Sequence, residues 1–276
     1  MIRVGTAGWA LPADPSRFPA AGTHLERYAA VFCAVEINSS FHRPHRAATY
    51  ARWAACVPDD FRFSVKIPKT VTHEKRLLRC TALLDEFLEP VRALGDKLGC
   101  LLVQLPPKLA LNPAVAARFM RALRARNDGA IAIEARNESW FDARADALFA
   151  THRIARVAAD PPRSALDGTP GGWRAVTYHR MHGSPRTYYS SYAPRVLDSI
   201  GAALIDEANA ESEAWCIFDN TAARAAIPDA LYLQEKLRVP YRGHRRLQGK
   251  DLKADTLLLI EHGDELPAGK PREKGK

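Results

Sequence analysis

The feature that most constrains this chain is a repeated change of hydrophobic period. Short apolar or alternating runs give way, again and again, to longer runs whose apolar residues recur at helical spacing. The strand-like runs are Ile2–Gly5, Cys33–Asn38, Phe61–Ile67, Gly99–Leu105, Ala130–Ala135, Ile154–Ala159, Arg174–Met181 and Glu213–Asp219. Helical patterns lie between or after them at His24–Phe32, Arg46–Val57, Cys80–Leu94, Asn112–Arg126, Asp142–His152, Pro194–Asn209 and Thr221–Leu237. Local chemistry agrees. Asn112 stands where an N-cap belongs, followed by Pro113 at the first helical position, where its missing N–H costs nothing. Asp142 is a second N-cap, and Pro58 stops the helix before it.

Alternation of this kind calls for parallel strands joined by right-handed crossovers. An open doubly wound sheet and a closed barrel share it, and two observations favour the barrel. The strand count is eight, and the turn after the first strand, GTAGW at 5–9, lacks the GxGxxG pattern of a dinucleotide-binding sheet. A length of 276 residues suits a TIM (β/α)8 barrel, which takes roughly 250. The expected fold is therefore α/β, a single TIM-barrel domain over residues 1–240. Residues 241–276 form an extension that leaves the rhythm and ends in a basic tail, which is expected to be disordered.

With 47% hydrophobic residues the chain can bury a sizeable core, and its formal charge of +9 permits an anionic ligand. The basic residues are scattered, with clusters only at Arg245–Arg246 and in the Lys270, Arg272, Lys274, Lys276 tail. Nucleic acid is thus allowed as a partner but not favoured. Five cysteines, at 33, 56, 80, 100 and 216, include no CxxC pair and read as reduced thiols. No secretory h-region follows Met1, and no run of about 18 apolar residues exists. The expectation is a cytoplasmic protein with no membrane contact.

Function is expected where the strands end, because the C-terminal ends of barrel strands build the site. Those ends carry Glu36 and Asn38, Lys66, Gln104, Glu134 and Arg136, Asp160, Arg180 and His182, and Asp219 and Asn220. Strand side chains alternate, so Glu36/Asn38, Glu134/Arg136 and Arg180/His182 are same-face pairs. Their neighbours Val35, Ile37, Ile133, Ala135 and Met181 are apolar and suit the helix layer, which turns the charged members into the mouth. For each residue alone, a structural ion pair is as good an account as a catalytic one. For the set it is not, since charges are costly to gather without a purpose.

Through these motifs the chain resembles the domain of unknown function 72 family, the YecE-like proteins. The matching segments are GTAGW (5–9), VEINSSF (35–41), FRFSVKIPK (61–69), QLPP (104–107), IEARNESWF (133–141), AAD-P (158–161), HRMHG (179–183) and FDNT (218–221). The resemblance implies a TIM barrel with these motifs at its catalytic end, and it implies no reaction. Two departures bear on ligand contacts. His42 stands where the family more often has an aromatic, and GTAGW replaces the commoner GTSGW.

The residues allow several chemistries. Glu36, Lys66, Glu134, Asp160 and His182 are the candidate catalytic groups. Glu134 or Glu36 would be the base, and His182 or Lys66 the acid. Asn38, Gln104, Arg136, Arg180, Tyr189, Tyr192 and Asn220 are the candidate binding groups, with Arg136 and Arg180 as an anion clamp. Lysine catalysis through a Schiff base is disfavoured here, because Glu36 and Glu134 are expected to raise the Lys66 pKa. Glu36, Glu134, Asp160 and His182 form a conceivable divalent-metal set, but Lys66, Arg136 and Arg180 already supply positive charge. No organic cofactor motif is present, and a permanent metal is less expected than none.

His73 is placed on a loop over the mouth. Trp9, Phe41, Trp140, Tyr188, Tyr189 and Tyr192 flank the strand exits, with packing the expected role of Phe41 and Trp140. The YYSSY run at 188–192 reads as a lid-like loop. The leading expectation is an acid/base enzyme acting on a small anionic or sugar-like substrate. The alternatives are a metal-dependent nucleic-acid phosphodiesterase or repair-type barrel, and a non-catalytic ligand-binding barrel.

Overall fold

A computed structural model of the chain describes residues 1–12, 14–163, 167–209 and 212–237. The expected extension at 241–276 lies outside the described residues. Seven helices surround a single ten-stranded sheet among the described residues. The strands are β1 (Ile2–Ala7), β2 (Ala34–Ile37), β3 (Arg62–Lys66), β4 (Leu98–Gln104), β5 (Ala130–Glu134), β6 (Ala155–Arg156), β7 (Ala158–Asp160), β8 (Gly171–Gly172), β9 (Val176–Met181) and β10 (Glu213–Phe218). The helices are α1 (His24–Ala29), α2 (Ala47–Ala55), α3 (Thr81–Val91), α4 (Pro113–Arg124), α5 (Ala143–Thr151), α6 (Pro194–Asn209) and α7 (Ala226–Lys236).

Parallel pairing runs from β9 through β10, β1, β2, β3, β4 and β5 to β6, while β7 pairs with the other edge of β9. β6 and β7 are two halves of one strand separated by Val157, so the barrel closes across that strand. This differs from the continuous strand expected over Ile154–Ala159, and the reason is a change of partner. The lower half bonds to β5, and the Val157 N–H still reaches the Ile133 carbonyl at 3.0 Å. One step later the Ala159 N–H turns to the carbonyl of Asp167 at 2.9 Å, leaving β7 to pair with β9. The short antiparallel β8 covers the freed edge of β6. Nothing in the alternation Ile154-Ala-Arg-Val-Ala-Ala-Asp160 marks that switch.

The caps explain the helix starts. The Asn112 side chain accepts the Val115 N–H at 3.1 Å, and Asp142 accepts the Ala145 N–H at 2.7 Å. Thr23 and Glu26 form a reciprocal capping box at the head of α1. Each such cap is worth about 1 kcal/mol.

Two apolar layers result. Val4, Val35, Ile37, Phe63, Val65 and Ile133 point outward and pack under the helices. Leu102, Ala132, Val157, Tyr178, Trp215 and Ile217 fill the barrel interior, with the Tyr178 and Trp215 rings stacked at 5.8 Å. The Trp215 ring occupies the place a side chain at 99 would need, since a Cβ on Gly99 would come within 2.7 Å of it. Above this plug the inward positions turn from apolar to charged. Among the described residues, no helix is long and apolar enough to cross a membrane.

Candidate active site

The site is built around Arg180, the inward residue near the top of β9 and completely buried. Its Nε and Nη2 donate to the two oxygens of Glu36 at 3.0 and 2.6 Å. Its Nη1 donates to Glu134 at 2.6 Å, and Nη2 also to Asp219 at 3.0 Å. Gln104 offers its Oε1 to Nη1 at 3.5 Å. β2, β5 and the residue just past β10 therefore each deliver a carboxylate to one guanidinium, as the two-residue period dictates once the barrel is closed. Below it the Tyr178 hydroxyl donates to Glu36 at 3.0 Å and stands 2.9 Å from the Ser64 hydroxyl.

His182 extends the network. Its Nδ1 lies 3.0 Å from Asp219 and its Nε2 3.1 Å from Glu134, so both ring nitrogens face carboxylates. An imidazole held that way is best satisfied as the imidazolium, with two N–H donors. Burial lowers its pKa, but Glu134 and Asp219 together outweigh burial and raise it above the ordinary 6.5. The carboxylates respond in kind. Burial would raise both, yet Arg180, His182 and Arg136 hold Glu134 well below the usual range, and Arg180, His182 and Lys66 bring Asp219 down to about 2. Arg136 completes the rim. Its Nε donates to Glu134 at 2.8 Å, its Nη2 approaches the Tyr188 hydroxyl at 3.5 Å, and its side chain is 11% exposed.

Lys66 behaves differently. It ends β3 with only 7% of its surface exposed, and among the described residues no carboxylate lies within 4.0 Å of its Nζ. Its ammonium sits 4.5 Å above the centre of the Phe41 ring. Burial first and Arg180 second push its pKa down to about 8, against the smaller opposing pull of Glu36, Asp219 and Glu134. The expectation that the glutamates would raise this lysine is corrected. They are already bound to Arg180, and the desolvated ammonium meets that guanidinium's positive charge as well.

Beyond the end of β3, a π-helical turn over Thr70–Glu74 carries His73 to the edge of the same Phe41 ring, 5.1 Å between centroids. Burial, then Lys66, Arg136 and Lys69, lower the His73 pKa, so its imidazole is neutral near pH 7. Phe41, expected to pack in the helix layer, is thus half-buried and joins Lys66 to His73.

Other expected site residues stand elsewhere. Arg180 has no exposed face to offer an anion, so the clamp expected of Arg136 and Arg180 reduces to Arg136. Tyr192 is buried, its hydroxyl accepting from the Gly183 N–H at 2.7 Å and donating to the Asp160 carbonyl at 3.1 Å. Asn220 donates to the Ser190 carbonyl at 2.9 Å and to Asp229 at 2.7 Å. Both brace the loop after β9 from behind. Tyr189 is 44% exposed beneath the Arg186 guanidinium. Asp160 contributes its carbonyl, which accepts the His182 N–H at 2.7 Å, while its buried Oδ1 has no partner among the described residues.

Asn38 reaches Asp219 at 3.3 Å, and its own Oδ1 has no partner among the described residues. Trp140 is buried, with its Nε1 donating to the Leu109 carbonyl at 2.8 Å, and Trp9 packs edge-on against Trp53. Glu36, Glu134 and Asp219 gather as a metal set would, but the Arg180 guanidinium occupies their centre. Among the described residues no group of three or more His, Cys, Asp or Glu has metal-holding geometry.

The loop at 183–193 closes over one side of the mouth. Gly183 (φ +93°) starts it, in a backbone conformation and a space that exclude a side chain, since a Cβ would meet the Ser190 carbonyl at 2.7 Å. Tyr188 then turns edge-on to His182 with centroids 5.6 Å apart. Beside it lies a cavity of about 190 Å³ lined in part by Glu134, Arg136, Arg163, Asp167, His182 and Thr187. Asp167 is buried there, its pKa raised by burial and one carboxylate oxygen unpartnered among the described residues. Asp219 was expected at its strand exit but given no role of its own, and the sequence reading missed Asp167, Arg163 and Thr187. Asp219 had a signal, as the next inward position of β10 after Ile217. Asp167 had none, lying in an irregular loop.

The family model for "Protein of unknown function DUF72" matches residues 3–253. The chain belongs to the DUF72 family. Among curated relatives, the UPF0759 protein YecE of Escherichia coli K12 is 35% identical over 107 residues, 38% of each chain. The UPF0759 protein YunF of Bacillus subtilis is 27% identical over 150 residues, 51% of this chain and 52% of its own. The chain thus spans well under two thirds of the length of these relatives in the matched regions. The solved structure of a DUF72 family protein from Enterococcus faecalis covers 87% of this chain and 98% of its own at a TM-score of 0.71 and 22% identity. One from Thermotoga maritima covers 86% and 99%, with a TM-score of 0.68 and the same 22% identity. At that identity the likeness establishes the fold, a DUF72 barrel, and nothing about substrates.

Proposed function

We propose that this DUF72 barrel is an enzyme that moves protons on a small anionic substrate at its C-terminal mouth. One observation carries the reading. Within a single buried charge network, Lys66 has no acceptor among the described residues, while His182 is gripped between two carboxylates. The lysine is thereby biased towards the neutral amine and the histidine towards the imidazolium. Titratable groups pushed in opposite directions across one mouth are the arrangement that acid/base catalysis requires.

The roles follow from the protonation states. His182 is the proton donor, held as the imidazolium by Glu134 and Asp219. Lys66 and the neutral His73 stand on the accepting side. Glu36 and Glu134, expected from sequence to be the base, are saturated by arginine and serve to hold Arg180 and His182 in place. Arg136 keeps a partly exposed guanidinium on the cavity wall, and Arg163 lines the same cavity, which suits a carboxylate or phosphate. The cavity's size favours a small metabolite over a polymer segment. The free thiols at all five cysteines are in keeping with a cytoplasmic setting.

The test is proton exchange in deuterium oxide. A mixture of small organic acids, keto acids and sugar phosphates is incubated with the protein, and carbon-bound protons are followed by NMR. The expected result is exchange at one carbon position with the wild type. Lys66→Met should reduce it at least about a hundredfold, with an unchanged fold. No exchange or turnover of any member, or exchange undiminished in Lys66→Met, contradicts the proposal.

A further inference from the structure

The acid/base reading leaves the substrate class open, and the surroundings of Lys66 narrow it. The side chain rises from the end of β3 into the mouth, buried, with its ammonium on the Phe41 ring and no anion within 4.0 Å among the described residues. A counter-ion would touch its carboxylate. Here the three nearby carboxylates, Glu36, Glu134 and Asp219, are all bound by Arg180, and the oxygens of Glu134 and Asp219 are further engaged by Arg136, His182 and Asn38. An amine that has lost water, gained no acceptor and faces a second cation is the environment that turns lysine into a nucleophile. Against the same Phe41 ring stands His73, its Nδ1 fixed by the Thr72 hydroxyl at 2.8 Å.

We infer that Lys66 forms a Schiff base with a small carbonyl compound carrying a carboxylate or phosphate, whose anionic end is held by Arg136. This rests on the reading of the mouth as an acid/base site and names its substrate class. The lone pair of the neutral amine forms a C–N bond to the carbonyl carbon, and the C=O π pair moves to oxygen, which takes a proton. The nitrogen loses one of its own protons, giving a carbinolamine. Protonation of that hydroxyl releases water and leaves the iminium. Overall one amine, one carbonyl and one proton give one iminium and one water, with no oxidant or reductant. The proton is assigned to His182, the imidazolium of the same charge network. The iminium then acidifies the neighbouring C–H, whose proton passes to the neutral imidazole of His73. That last transfer is the exchange step proposed above.

The experiment is reductive trapping of the full-length protein at pH 8 with pyruvate, glyoxylate or dihydroxyacetone phosphate in the presence of cyanoborohydride, followed by peptide mass mapping. The expected result is a reduced adduct on Lys66 at least about tenfold above that on the exposed Lys69 and Lys75, because a lowered pKa raises the neutral fraction. Lys66→Arg should abolish that adduct while melting at the wild-type temperature. Arg136→Gln should weaken trapping by the anionic probes while leaving methylglyoxal, which has no charge, unaffected.

Adducts spread evenly over exposed lysines, or Lys66 unmodified by all three probes, overturn the inference. Deuterium exchange that persists without trapping sinks the Schiff base and leaves the acid/base reading standing. Trapping without exchange does the reverse.

Discussion

Replacing Lys66 by methionine should stabilise this protein at neutral pH, and the sign of that effect separates the two roles a mouth lysine can have. Methionine keeps the length and apolar stem of the side chain and removes the charge. In the folded chain the amine titrates near 8, against an ordinary 10.5. At about 1.4 kcal/mol per unit, the native state carries a penalty of about 3 kcal/mol for holding the ammonium there.

The sign follows from proton linkage. A lysine with a depressed folded pKa binds its proton more tightly in the unfolded chain. Its penalty is therefore fully present below pH 8 and fades as pH rises from about 8 to 10.5. Urea denaturation of wild type and Lys66→Met at pH 7 should show the variant more stable by about 3 kcal/mol. By pH 10.5 that advantage should have largely gone. Taking the difference between the two proteins cancels the titration of every shared group. A methionine variant less stable than wild type at pH 7 would mean that Lys66 neutralises the carboxylates, and the reasoning about its amine would fail.

Four further outcomes follow. Arg180→Met removes the common partner of Glu36, Glu134 and Asp219, and should cost about 3–5 kcal/mol in chemical denaturation, or prevent folding. His182 should titrate above 6.5 by NMR, so the stability its imidazolium supplies is fully present below pH 6.5 and is lost as pH rises through the folded value. Asp219→Asn should bring that midpoint down. Asn112→Ala, which removes the cap on α4, should cost about 1 kcal/mol and leave exchange activity unchanged.

Much of the site was readable from strand periodicity. Because side chains alternate, Glu36, Glu134 and Arg180 had to share the barrel interior once their apolar neighbours were assigned to the helix layer, and the structure brings the three into contact. What alternation cannot supply is who reaches whom. Whether Arg180 clamps a ligand or closes on its own carboxylates depends on the barrel's radius and on three strands distant in sequence.

The Lys66 pKa turned on the same point. Its direction was misjudged because nearness of Glu36 and Glu134 was read as availability. Tyr192 and Asn220 lie at expected exits but face the back of the loop, since Gly183 reverses the chain and Asp229 of α7 gathers them. Asp167 and the split between β6 and β7 depend on one irregular loop whose N–H and carbonyl partners carry no sequence pattern.

The most direct measurement of the central claim is competitive labelling of the lysine amines with isotopic acetic anhydride across pH 6 to 11, read by peptide mass spectrometry. The account predicts that Lys66 titrates near 8, well below the ordinary lysine value of 10.5. A Lys66 midpoint at or above that of the exposed lysines would contradict it, and would make the residue a structural cation in a mouth that does no proton chemistry through it.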